Sequence, residues 1–284
     1  MEKRILGKTD FEVSILGFGG IIVDQMEQRD ANNAVSEVID WGINYFDVAP
    51  TYGKAQYILG PALAPYRNTV YLACKTEKRD AKGSEEQLHE SLKALKTDYF
   101  DIYQFHGLDN PDEIKTVFAS GGAMETMMKA KERGLIRNIG FTCHTEEGAF
   151  EIMKHYNDFS TVLFPINWAC WLEKGIGSKL LTEATARNMG VIAIKGLAHR
   201  KWLDNEERVY PKCWYKPIFD DDELANLAFR FTLSMDIDTA ISPGDIHMIR
   251  KAHDILKNNK SFTLSKEELA ILTTKAREIT EIIF

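Results

Sequence analysis

Eight apolar runs of strand length, separated by segments of helical spacing, constrain the fold of this chain more than any other feature. The runs are SILGFGG (14–20), NYFDVA (44–49), VYLACK (70–75), YFDIYQFHG (99–107), IRNIGFTCH (136–144), TVLFPIN (161–167), GVIAIKGL (190–197) and TAISPG (239–244). Each is mostly apolar rather than alternating, as parallel strands covered on both faces must be. Helical patterns lie between them at 33–42, 84–96, 121–134, 145–156, 178–190 and 220–234. Ser84 with Gln87 three residues on reads as a capping box, and the acids opening 220–234 suit a helix N-terminus. Such a repeat closes into a (β/α)8 barrel or opens into a doubly wound sheet. The glycine turn LGFGGIIV lacks the G-x-G-x-x-G fingerprint of the latter. The expected fold is therefore α/β, a TIM (β/α)8 barrel, with residues 1–284 forming one domain. RILGKTDFEVS (4–14) reads as a hairpin turning at Lys8 to Asp10, placed to plug the barrel's N-terminal end, and 265–284 as an extra C-terminal helix. Residues 198–217 form one long irregular segment, rich in aromatics and charge, of the kind that serves as a lid or a mobile loop.

Charge and cysteine usage narrow the setting. The formal net charge is −7 and the basic residues are dispersed, which argues against a nucleic-acid or anionic-membrane surface. No stretch has the length and apolarity of a signal peptide or a membrane span. Cys74, Cys143, Cys170 and Cys213 are far apart with no C-x-x-C pair, a pattern of reduced thiols. A soluble cytoplasmic protein is expected.

In a barrel, functional groups collect at the C-terminal ends of the strands. The second run delivers Asp47, the third Lys75 and the fourth His106, and Tyr52 follows in the turn after Asp47. Any one of these alone is more often a cap or a surface ion pair than a catalyst. On consecutive strands, about 5 Å apart, they belong together: a lysine in an apolar strand needs a counter-charge, and Asp47 is placed to supply it. A free tyrosine phenol has a pKa of about 10, and a nearby ammonium lowers it. Tyr52 beside Lys75 is then a general acid, Asp47 orients Lys75, and His106 can hold a substrate oxygen. A proton donor beside an oxygen-binding site suits carbonyl reduction with hydride from a cofactor.

GINYFDVAPTYG, LACKT and LKTDYFDIYQFHG together resemble the aldo-keto reductase family, and the likeness runs from the RILGKTDFEVSILGFGG opening to the ISPG segment. The resemblance implies a TIM barrel that reduces aldehydes and ketones, or oxidises the alcohols, with a nicotinamide cofactor, usually NADPH. It carries the family's Asp, Tyr, Lys and His onto Asp47, Tyr52, Lys75 and His106. For the nicotinamide carboxamide it implies Thr142 and His144 after the fifth strand. In the sixth, Leu163 stands where glutamine is expected and Asn167 lies further on. The seventh-strand motif appears as IKGL, giving Lys195, Gly196 and Leu197 with no aromatic to stack on the nicotinamide; Trp202 is a substitute. Gly20, Ser242, Pro243, Gly244 and Arg250 complete the implied cofactor contacts. Asp245 lies where it would repel a 2′-phosphate, so NADH stands beside NADPH.

Two other readings stay open at this stage. One is a barrel metal hydrolase with Asp47, His106 and His144 as ligands, although no H-x-H pair is present. The other is a non-catalytic, regulatory member of the same fold. Residues 20–30, 107–122 and 198–217 are the loops expected to decide the substrate. Ile21, Ile22, Trp168, Trp171, Trp202 and Trp214 are candidates for the pocket wall, each equally readable as packing.

Overall fold

The computed structural model describes residues 1–284. Eight parallel strands close into a barrel: Leu16–Gly19, Tyr45–Asp47, Tyr71–Thr76, Phe100–Phe105, Ile136–Thr142, Thr161–Pro165, Gly190–Ile194 and Thr239–Ile241. They follow one another in chain order around the barrel, and the eighth pairs with both the seventh and the first. All eight runs recognised in the sequence are strands, seven of them shorter than the apolar run because the ends turn into loops, and the third, Tyr71–Thr76, as long as its run and displaced by one residue.

Alternation inside each strand decides what points inward. Tyr45, Ala73, Ile102, Leu163, Ile192 and Ile241 form one buried cluster in the barrel interior. Leu6 and Val13 of the hairpin Lys3–Ile5 and Glu12–Ser14 belong to that same cluster, so the hairpin does plug the N-terminal end. A larger apolar cluster fills the layer between the strands and the surrounding helices.

Several local expectations are corrected. The helix expected over 84–96 spans Ala81–Leu95 and is capped by Asp80, whose carboxylate accepts from Gly83 N. Ser84 is buried in its first turn, and the Gln87 carboxamide accepts from Thr76 Oγ1 at 2.7 Å and Glu77 N at 3.0 Å, tying helix to strand rather than capping. The chain does hold a capping box, at Ser265 and Glu268, which opens the helix Lys266–Arg277. That helix stops short of the expected 284, and the last residues fold back as irregular chain. Helices Ala55–Leu63, Pro111–Phe118 and Trp168–Lys174 were not anticipated. The first carries an internal proline, Pro61, and the other two are only eight and seven residues long. No helix is long and apolar enough to cross a membrane.

Residues 198–217 are anchored. Ala198–Arg200 pairs antiparallel with Lys216–Pro217, and Glu206 holds both Arg200 and Lys216. Trp202 is buried within the loop and donates from Nε1 to Cys213 O at 2.8 Å. Lys212 donates to Ile22 O at 2.5 Å, tying the loop across to the segment after the first strand.

Candidate active site

Parallel register brings the ends of the second, third and fourth barrel strands to one level. Asp47 pairs with Ala73, and Lys75 with Gln104. Lys75 is 1% exposed, and its ammonium is bound to Asp47 Oδ1 and lies 3.4 Å from Val48 O. The second Asp47 oxygen accepts from Gln104 Nε2 at 3.1 Å. Burial disfavours a lysine charge, but Asp47 and then Tyr52 more than offset it, and the Lys75 pKa lies above its ordinary value. Lys75 is thus a fixed positive charge. With both Asp47 oxygens engaged this way, the carboxylate is not free to ligate a metal, and no three His, Cys, Asp or Glu side chains form a metal-holding group.

A short turn after Asp47 returns Tyr52 to the same level. Gly53 sits at φ 57° and a Cβ there would lie 2.5 Å from Asp24 Oδ1, the atom that accepts from Lys54 N at 2.7 Å. The Tyr52 ring centroid is 5.2 Å from Lys75 Nζ and 5.9 Å from the His106 ring, edge to face. Trp214, 59% exposed, packs over it at 5.4 Å. The sequence suggested that Lys75 lowers the Tyr52 pKa. The direction is the reverse: burial raises it, and the lowering by Lys75 does not outweigh that. Tyr52 therefore holds its proton firmly until a negative oxygen develops beside it.

His106 follows the fourth strand, with its carbonyl held by Arg79 Nη2 at 2.7 Å and Arg79 in turn on Glu113. Its Nδ1 lies 3.4 Å from Thr51 Oγ1. Burial, then Lys75, His144 and Arg79, push its pKa down to about 3. The imidazole is neutral across the working range and offers one N–H donor. The pH profile of any reaction here should accordingly show no His106 inflection between pH 5 and 8. An inflection near 6.5 that vanishes in His106→Gln would contradict this.

These groups open on a cavity of about 440 Å³. Of the catalytic and cofactor residues singled out in the sequence, Asp47, Tyr52, Lys75, His106, Thr142, His144, Lys195, Leu197, Ser242, Pro243 and Gly244 line it. Four do not. Gly20 packs on Val48 and Gly196 on Thr232. Asn167 is fully buried, where its oxygen caps the helix Trp168–Lys174 and its Nδ2 holds Lys195 O and Ala198 O. Arg250 lies by a separate cavity, in a two-pronged ion pair with Glu37 at 3.0 and 2.8 Å. Trp202 is sealed in its loop, Trp168 donates to Ala198 O, and Trp171 packs on Phe231, so Trp214 is the one tryptophan in the wall. Ile21 lines the cavity, whereas Ile22 is in the core. The 107–122 loop contributes nothing.

The family model for the aldo/keto reductases matches residues 15–216. The chain belongs to the aldo/keto reductase family. It is 33% identical to the oxidoreductase YqkF of Bacillus subtilis over 57% of this chain and 56% of that protein. It is 31% identical to L-galactose dehydrogenase of Arabidopsis thaliana over 50% of this chain and 48% of that protein. The match thus spans about half the length of these curated relatives. Among solved structures, an aldo-keto reductase of Bacillus halodurans in its holo form superposes with a TM-score of 0.74 at 22% identity, covering 100% of this chain and 98% of that one. A Klebsiella pneumoniae aldo/keto reductase, in complex with NADP and acetate, gives 0.73 at 21%, covering 99% and 97%.

Strand-end reasoning missed several residues of the site. Gln104 shares the inward parity of Ile102 and His106 and was legible in YQFHG. Tyr215, Cys213, Ile194 and Ile241 were not singled out. Toward a nicotinamide the donor set fits: Thr142 and the His144 imidazole offer polar atoms, and Tyr215 offers a flat ring in the same wall. His144 is oriented by Asp109, whose oxygens accept from its backbone N at 2.7 Å and face its Nδ1 at 3.1 Å. At Gly244 a Cβ would lie 2.3 Å from Lys212 O, so only glycine lets the 198–217 loop close against the eighth strand end.

Proposed function

We propose that this reductase reduces the carbonyl of a small aldehyde or ketone to an alcohol, with Tyr52 as the general acid. One observation carries the reading: a phenol, a buried Lys75–Asp47 ion pair and a neutral imidazole converge on one cavity with apolar walls. A reduced nicotinamide, when bound, supplies the hydride. His106 donates its N–H to the carbonyl oxygen and fixes the orientation of the substrate. As negative charge builds on that oxygen, Tyr52 Oη gives up its proton to it, and the Lys75 ammonium stabilises the phenolate left behind. Asp47, braced by Gln104, keeps Lys75 charged and aimed. Leu163, Ile194, Ile241 and Trp214 exclude water from the reacting oxygen. Solvent returns the proton to Tyr52 after turnover.

Thr142, His144 and Tyr215 would hold the nicotinamide end, and Ser242, Pro243 and Gly244 the phosphates. The Asp245 carboxylate caps the helix Ile246–Asn258 by accepting from His247 N at 2.8 Å, and Glu37 engages Arg250. Both contacts disfavour a 2′-phosphate, so NADH competes with NADPH in this reading. Glu37→Gln should free Arg250 and shift the NADPH-to-NADH affinity ratio upward by about tenfold, one charge-assisted contact; equal ratios by fluorescence titration would remove Arg250 from the cofactor site. The buried, unpaired thiols suit a reducing cytoplasmic setting.

The deciding experiment follows NADH and NADPH oxidation by absorbance against a panel of small aldehydes and ketones. Turnover with at least one pair is expected. Absence of both nucleotide binding and turnover would overturn the reading.

A further inference from the structure

Two lysines line the cavity, and they differ in one respect. Lys75 has a carboxylate; Lys195 has none. Asp47 is the one carboxylate in the wall, and it is engaged by Lys75 and Gln104. Lys195 Nζ instead sits 4.2 Å from the Tyr215 ring centroid and 4.7 Å from that of Phe284, a pair of faces that attract a cation without neutralising it. The backbone beneath is fixed. Lys195 adopts φ 68°, a left-handed conformation uncommon for a residue with a side chain, and its carbonyl accepts from Asn167 Nδ2 at 3.0 Å and from Ala198 N at 3.0 Å. A glycine would fit that turn with less strain.

We propose that Lys195 is the anion-binding residue of the cavity, its ammonium taking a carboxylate group of the bound substrate beside the His144 imidazole. The inference rests on the proposed reading of this cavity as the ligand site and adds that the ligand is anionic. The groups facing Lys195 are few. His144 is held by Asp109, the Cys170 thiol and Tyr215 lie alongside, Lys174 is bound to Phe284 O, and Lys216 to Glu206. Burial brings the Lys195 ammonium down to about 7, with Cys170 and Asp109 opposing. An anion arriving there favours the charged form, so binding takes up a proton. Affinity should then rise about tenfold as the pH falls from 8 to 6 and level off below.

Calorimetric titration of the full chain tests this with benzoate against its neutral analogue benzamide, and separately with NADH and NADPH, at pH 6, 7 and 8 in two buffers of different ionisation heat. Expected are tighter binding of benzoate than of benzamide, a buffer-dependent heat showing proton uptake, loss of the preference in Lys195→Met, and its retention in Lys195→Arg without the pH dependence near 7. If Lys195→Met weakens only benzoate, the anion is a substrate carboxylate. If it weakens only the nucleotides, Lys195 is a cofactor contact and the assignment to a substrate carboxylate falls. Unchanged benzoate-to-benzamide and nucleotide affinities in Lys195→Met, or wild-type pH dependence surviving in Lys195→Arg, would overturn it. The reductase reading fails separately: benzoate would still bind while no aldehyde oxidises either nucleotide.

Discussion

Tyr52→Phe should lower kcat for carbonyl reduction by about 10²- to 10⁴-fold, the usual worth of a positioned proton donor. Affinity for the nicotinamide cofactor should stay within about twofold, because the lost atom is one hydroxyl and the ring keeps its packing against Trp214 and the His106 edge. The split matters more than the size. A general acid acts only as charge develops on the substrate oxygen, so its loss appears in kcat and kcat/KM together and leaves ground-state binding alone. Burial holds the Tyr52 pKa above its ordinary value, and the wild-type rate should therefore not fall on the alkaline side until well above neutrality. A decline of less than tenfold in Tyr52→Phe would take the proton-donor role away from this residue.

The barrel was readable because buried parallel strands leave an unmistakable trace, eight apolar runs at the spacing of one strand and one helix. The four residues around Asp47 were readable for a related reason: a charged group at the end of an apolar run is costly unless something answers it, and the answers lay one strand over. What escaped notice depends on long-range placement. Arg250 reads as a cofactor contact, and the sequence does not report that Glu37, 213 positions away, engages it. Asn167 reads, through the resemblance, as a nicotinamide contact, but its carboxamide is fully engaged by the next helix and by the turn around Lys195. Tyr215 lies in a segment with no periodicity, and only the pairing of Ala198–Arg200 with Lys216–Pro217 brings it to the mouth. The direction of the Tyr52 pKa also turned on burial, which a neighbouring lysine in the sequence does not report.

The Lys75–Asp47 pair gives the largest expected effect on stability, and it allows stability and catalysis to be separated. Lys75→Met leaves a carboxylate buried at 3% exposure with Gln104 as its one remaining side-chain partner. Asp47→Asn leaves an ammonium with the 3.4 Å contact to Val48 O. Stranding one member of a buried ion pair costs about 3–5 kcal/mol, which for a chain of this size lowers Tm by on the order of 10 °C. The double variant Asp47→Asn, Lys75→Met removes both charges, so neither is stranded, and most of the lost Tm should return; replacing a buried pair by neutral groups is often close to neutral. Activity should not return. Without the ammonium nothing stabilises the Tyr52 phenolate, and kcat in Lys75→Met and in the double variant should stay at least about 10² below wild type. A double-mutant cycle by thermal melts and single-turnover rates reads both quantities on the same samples. If the double variant is as unstable as the two single losses added together, the pair is not coupled. If instead it regains activity along with its Tm, the charge on Lys75 has no part in proton transfer and the pair is only a structural clamp.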